Sequence, residues 1–290
     1  MGSVTEYSHS RLSAFEDCPR KFRFRYVDDI KVDSEGVEAF MGKRVHEILE
    51  RLYHHLGRFG KPPSLGQVLD RFRRDWAQAW HDKIMIVRTE NAPDFYLERG
   101  ARCLENFYRA HYPFSEGETV GIEQPIQLLL DGDGRYRARG IIDRVTRRRD
   151  GVFEIHDYKT SGYLPPQSRI DGDRQLALYQ IGIEQTYSEA REVELVWHFL
   201  VFNRTLRSRR SAEALDDLRA STMRLIDSIE SEQEFAPKPG PLCRWCEYAS
   251  LCPEAPAEAR AAKPPSDVIA DATLFPGLPA TGQQLMLFAE

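Results

Sequence analysis

Long apolar runs are missing from this 290-residue chain. The longest span four or five residues, far short of the roughly 20 that a transmembrane helix needs. The first residues, MGSVTEYSHSRLSAFEDC, hold no apolar h-region, so no signal peptide is expected. Cysteine is scarce: five residues, an odd count, which in a chain without an export signal argues against a disulfide framework. No glycine-rich phosphate loop, alternating βαβ pattern, helicase motif or internal repeat is visible, which excludes dinucleotide-binding and solenoid folds. An excess of one charge is also absent. Forty basic and 45 acidic residues leave a net charge of −5, which does not advertise a nucleic-acid binder. The basic residues are nevertheless segregated, at Arg20–Arg25, Arg71–Arg74, Arg135–Arg149 and Arg204–Arg210.

What is present suffices for a core: 41% of residues are apolar and 11% aromatic. Ser10 is a plausible N-cap for a first helix carrying Leu12, Phe15 and the Cys18-Pro19 step. A second helix is expected from near Gly42, with Val45, Ile48, Leu49 and Leu52 on its apolar face. Residues 65–112 read as mostly helical. The period then changes to two, giving strands over Thr119–Leu130, Tyr136–Thr146 and Val152–Thr160, the last two joined by a turn at Arg149-Asp150-Gly151. A helix over Gln175–Thr186, a strand over Glu194–Asn203 and a helix over Ala212–Glu232 follow. This order predicts an α+β (mixed α/β) domain over 1–253 with a helical insertion at about 60–115. Residues 254–290, rich in Pro and Ala, read as a flexible tail.

The strongest chemical signal is Gly140-Ile141-Ile142-Asp143 followed by Ile155-His156-Asp157-Tyr158-Lys159-Thr160. Alternate residues of a strand share a face, so Asp157 and Lys159 point together and Tyr158 points away. A three-residue loop pairs Arg148 with Val152 and sets Asp143 across from Asp157. Two carboxylates meeting at one place call for a cation between them, and oxygen ligands suit Mg²⁺ or Mn²⁺. A neighbouring lysine can stabilise charge on a phosphoryl oxygen or help to deprotonate water. A bare D-x-K is far more often an exposed ion pair, and only its neighbours lift it above that. Glu123, on the preceding strand, is a fourth acidic candidate, able to bind a second metal through water. Glu154 faces the other way and is left out.

The set GIIDR…IHDYKTSG resembles the core of PD-(D/E)xK nucleases, in particular RecB/Cas4-like exonucleases. Ser10–Pro19 is similar to that family's N-terminal cysteine helix, Gly42-Lys-Arg-Val-His46 to its G-x-x-x-H motif, and Gln175-Leu-Ala-Leu-Tyr179 to its Q-x-x-x-Y motif. The resemblance spans about residues 7–253. It implies a restriction-endonuclease-like core sheet flanked by helices and a metal-dependent DNA nuclease. His46, Asp143, Asp157 and the Tyr158 carbonyl would hold Mg²⁺ or Mn²⁺. Lys159 would be catalytic, and Gln175 and Tyr179 would contact DNA or order water. His54 and His55 are read as ordinary helix residues. The rival readings are a non-catalytic DNA-binding or assembly subunit, which the intact His-Asp-Asp-Lys set argues against, and a CRISPR prespacer-processing nuclease. Any unwinding of DNA would need a helicase partner.

Cys243, Cys246 and Cys252 form C-x2-C-x5-C, one thiolate short of the four that zinc or a [4Fe–4S] cluster takes. By the resemblance, Cys18 is the fourth and the group is an iron–sulfur cluster joining the two ends of the domain. Cys103, on an amphipathic helix, reads as a buried small hydrophobe. The aromatics between Arg20 and Tyr26 suggest phosphate contact plus base stacking on single-stranded DNA. The end of the tail, Gln284-Leu285-Met286-Leu287-Phe288, resembles the Q-L-x-L-F peptide by which bacterial replication and repair proteins dock on the β sliding clamp. Gln284, Leu285, Leu287 and Phe288 would be the contacts. The expected setting is the cytoplasm, with no membrane.

Overall fold

The computed structural model describes residues 5–261. A short strand β1 (Glu6–Ser8) leads into α1 (His9–Asp17), α2 (Pro19–Phe22) and a π-helical turn at Arg23–Val27. After β2 (Glu35–Gly36) come α3 (Val37–Phe59), α4 (Leu65–Ala79), β3 (Ile84–Met85) and α5 (Pro93–His111). Next are β4 (Glu118–Leu129), β5 (Arg137–Arg147), β6 (Phe153–Lys159), α6 (Gln167–Asp171) and α7 (Arg174–Thr186). The described residues end through β7 (Val193–Phe199), β8 (Arg204–Ser208), α8 (Ala212–Ser231) and α9 (Ala257–Ala261). The mixed α/β class expected from the sequence is what forms.

Six strands make one sheet. β5 is its pivot: β4 runs antiparallel along one edge, and β1 and β6 share the other. β7 adds parallel to β6 through the α6–α7 crossover, and β8 closes the far edge antiparallel. One face packs under α1, α7 and α8 around Leu12, Ile142, Ile155, Leu176 and Trp197. The other is covered by α3, α4 and α5 around Val45, Phe72, Trp76, Leu104 and Tyr158. The helices expected as an insertion thus form one layer with α3.

Local chemistry explains most boundaries. The β5–β6 loop closes on Gly151 at φ 87, and the Arg148 amide donates to the Val152 carbonyl at 2.9 Å, the register that a three-residue loop imposes. Ser64 and Gln67 cap α4 reciprocally. α1 begins earlier than expected, capped by Ser8 rather than Ser10. α3 likewise starts at Val37, five residues before Gly42, because Val37, Phe40 and Met41 continue its apolar stripe. The strand expected over Glu194–Asn203 stops at Phe199. A 3₁₀ turn and Asn203 at φ 49 then reverse the chain into β8, which period-two reading does not detect. The chain is helical again at Ala257–Ala261, inside the segment expected to be tail. The sliding-clamp-like residues Gln284, Leu285, Leu287 and Phe288 lie outside the described residues.

Candidate active site

The site forms where β5 parts from β6. Their paired register ends at Arg144 opposite His156. One step further the Asp143 carboxylate itself takes the Tyr158 amide, with Oδ2 accepting at 2.7 Å. Asp143 therefore lies at the level of Asp157, as the hairpin register required. Strict face alternation fails here, however. Ile142 and Val145 both enter the core below α7, while Arg144 between them turns to the opposite face, over the Tyr53 ring. β4 slips at the matching place: Ile126 and Leu128 face α7, Ile122 faces the helical layer, and Glu123 between them has φ 43. A non-glycine residue in that region is strained and is held by its surroundings.

The slip turns Glu123 into the site. One ligand atom each from His46, Glu123 and Asp143 lies within 4.8 Å of the others. Glu123, expected at most to serve a second metal through water, thus stands beside the two residues expected as direct ligands. Burial raises its pKa to about 7, assisted by Asp143, Glu50 and Glu47 and opposed by His46. His46 arrives from α3 because Gly42, one turn before it, meets β6 closely; a Cβ there would lie 3.1 Å from Thr160 Oγ1. Its Nε2 is 2.7 Å from the Tyr158 carbonyl and its Nδ1 3.4 Å from Asp143 Oδ1. Burial acts to lower the His46 pKa, but Asp143, Asp157 and the Tyr158 carbonyl outweigh it and raise the value to about 9. Both ring nitrogens thus face acceptors, and a cation bound among these groups would replace the extra proton.

Asp157 and Lys159 point together from β6, as alternation required. Lys159 Nζ is 2.8 Å from Asp157 Oδ2 and donates to Gln175 Oε1 at 3.1 Å; the Gln175 amide reaches Tyr179 Oη at 3.5 Å. Asp157 Oδ2 is buried, and the Lys159 ammonium is the cation that faces it. Burial raises the Asp157 pKa, Lys159 lowers it and Asp143 raises it. Burial lowers that of Lys159, but Asp157, Asp173 and Asp143 raise it overall. The Tyr179 ring needs Gly140, since a Cβ there would lie 2.2 Å from Tyr179 Cε1. The excess of carboxylates and the imidazole fit a divalent cation that prefers oxygen donors.

On the far face of β6 the Tyr158 side chain is anchored by a buried polar seam. Arg144 Nε donates to Tyr158 Oη at 3.1 Å and its Nη2 to His156 Nδ1 at 3.3 Å; His156 Nδ1 is also 2.9 Å from His198 Nε2. Burial, reinforced by Arg144, Arg207 and neighbouring histidines, drives the pKa of His156 and of His198 well below 6.5. Both stay neutral in the fold but gain a proton near pH 6.5 when unfolded. Their contribution to stability is full above pH 6.5 and declines as the pH falls below it. The expected slope is up to about 1.4 kcal/mol per pH unit for each histidine. Urea unfolding between pH 7.5 and 5 should show it, and His198→Gln should flatten the decline.

Where α1 meets the C-terminal segment, Cys18, Cys243, Cys246 and Cys252 line one cavity. The Lys238 amide donates to Cys18 Sγ and the Gly240 amide to Cys243 Sγ, each at 3.4 Å. Arg20 Nε bonds the Phe235 carbonyl and Lys21 pairs with Glu247, which ties α2 to the C-terminal segment. Cys103 is fully buried, and burial raises its thiol pKa to about 11, as suits a packing residue. The base-stacking expectation for Arg20–Tyr26 is corrected. Phe22 is buried against Phe15 and Phe235, Phe24 packs on Tyr248, and Tyr26 lies beneath Arg11. Phe22 is thereby withdrawn from any base, while Phe24 and Tyr26 are half-buried.

The sequence profile of the PD-(D/E)XK nuclease superfamily matches residues 6–253. The chain belongs to that superfamily, and the carboxylate–lysine site described above lies within the matched region. Its members are nucleases that use divalent metals, and His46, Glu123 and Asp143 form a group able to hold one. Among solved structures, "Crystal structure of SSO0001" is similar at 14% identity over 88% of this chain and 89% of that one. Its TM-score of 0.39 is too low to carry an argument. Comparison with curated proteins gives no match. No helix among the described residues is long and apolar enough to cross a membrane.

Proposed function

We propose that this protein is a Mg²⁺- or Mn²⁺-dependent deoxyribonuclease of the RecB/Cas4-like type, acting as an exonuclease on single strands or ends of DNA. The observation that carries the reading is the meeting of His46, Glu123 and Asp143 beside the Asp157–Lys159 pair at the open end of one hairpin. His46 and Asp143 would hold the cation, with Glu123, Asp157 and the Tyr158 carbonyl at hand. A divalent cation bound there supplies Lewis-acid polarisation of the scissile phosphate and a lower pKa for the attacking water. The chain's own residues supply the rest. On binding the cation, His46 would release to solvent the extra proton it shares with Asp143 and the Tyr158 carbonyl. Asp157 and Gln175 aim the Lys159 ammonium, which offsets negative charge growing on the phosphoryl oxygens. Tyr179, seated on Gly140, fixes Gln175. Cleavage of end-labelled single- and double-stranded oligonucleotides, with and without Mn²⁺, tests the reading; no metal-dependent cleavage of either overturns it.

The same proposal assigns a [4Fe–4S] cluster to Cys18, Cys243, Cys246 and Cys252. In support, the four thiols share one cavity. The cluster's role is that of a staple.

The proposal further holds that the protein works in the cytoplasm and is recruited to a β sliding clamp through Gln284–Phe288. Leu285, Leu287 and Phe288 would be the apolar anchors and Gln284 the polar contact. Deleting residues 284–290 should abolish clamp binding in a titration yet leave cleavage of short oligonucleotides unchanged. Equal clamp binding by full-length and truncated protein counts against recruitment through this segment.

A further inference from the structure

Arg99 projects from α5 toward the end of the catalytic strand. A Cβ on Gly162, three residues past Lys159, would lie 2.5 Å from its Nη2 and 3.4 Å from its Cζ. The glycine thus lets a guanidinium lie against the backbone that leaves the site. Its Nε is buried without a hydrogen-bond partner, and among the described residues Arg99 makes no ion pair. On its own helix Glu98 pairs with Arg73 and Glu105 with Arg109. Leu97, Ala101 and Leu104 are buried around it, so the helix turn carrying Arg99 is fixed. Arg99 therefore lies against Gly162 without an ion-pair partner among the described residues.

A buried guanidinium donor without an acceptor is costly, and at a functional site it points to an absent anion. Arginine offers a planar fork suited to phosphate oxygens, and contacts of this kind set the register of a polynucleotide. We propose that Arg99 grips a backbone phosphate of the substrate strand next to the scissile one, making it a positioning residue for cleavage. The inference rests on the nuclease reading and extends it to the path of the strand.

The test uses full-length protein and a single-stranded DNA oligonucleotide, with cleavage measured in the wild-type background and binding in Asp157→Ala. Arg99→Ala should raise KM and Kd about tenfold while kcat stays within about twofold. The slope of log K against log salt should flatten by about 0.7, the value of one single-strand phosphate. Arg99→Lys should recover part of the loss, since it restores the charge without the fork. A walk of single neutral methylphosphonate linkages along the oligonucleotide should reveal one position, beside the cut, that weakens binding by Asp157→Ala. The same linkage should have no effect once Arg99→Ala is added. That readout does not depend on whether Arg99→Ala also lowers Tm. Wild-type cleavage with unchanged KM and salt slope in Arg99→Ala, or additive effects at every neutral linkage, overturns the role of Arg99 and leaves the nuclease reading standing. Absence of cleavage by the wild type overturns the nuclease reading, and the phosphate assignment with it.

Discussion

Asp157→Ala and Lys159→Ala should each lower DNA cleavage by about 10³-fold or more, in single-turnover assays with Mn²⁺, while binding of the same oligonucleotide is largely kept. The expectation follows from the geometry. Asp157 is buried and sets the Lys159 ammonium 2.8 Å away. Loss of the carboxylate removes a candidate ligand and frees the lysine; loss of the lysine removes the cation that faces the developing phosphoryl charge. One preorganised electrostatic contact of this kind is worth about 10²–10³ in rate, and loss of a metal ligand adds to it. Removing one partner of this half-buried pair also alters stability, so both variants must be assayed well below their Tm. Retention of wild-type turnover by either folded variant would show that the active-site assignment is wrong.

Cys18→Ala should lower Tm by about 10 °C or more, against about 2–4 °C for Cys103→Ala. The two differ in what they hold. Cys103 is one small buried group in α5. Cys18 faces Cys243 across 224 intervening residues, and a cross-link closing a loop of that length is worth about 5 kcal/mol on the chain-entropy scale. Anaerobically purified protein should be brown, with broad absorbance near 400 nm, and carry on the order of four iron per chain; Cys18→Ala should lose colour and stability together. Stoichiometric zinc without iron would exclude the cluster, and equal Tm shifts for the two variants would exclude the staple.

The readable part of the site was the part governed by spacing. A three-residue loop sets the β5–β6 register wherever it occurs, so Asp143 could be placed level with Asp157 from the letters alone. Period two put Asp157 and Lys159 on one face, and the helical turn put Gln175 beside Tyr179. Glu123 resisted this reading because its position depends on a slip in the alternation, with φ 43, that no local pattern announces. The aromatics of Arg20–Tyr26 misled for a related reason. A basic stretch with interleaved rings looks the same whether the rings meet bases or, as here, meet Phe15, Phe235 and Tyr248.

The sequence by itself determined the mixed α/β class, the hairpin register, and the shared face of Asp157 and Lys159. Each follows from bond geometry and short-range sterics, which act the same way in any chain. Only the tertiary structure decided which distant groups join them: His46 brought to β6 by the close approach of Gly42, Glu123 turned inward by the distorted strand pair, and Arg99 laid against Gly162. Those contacts span tens of residues, and their positions come from how two cores pack on either side of one sheet, a sum over many side chains that no single motif encodes.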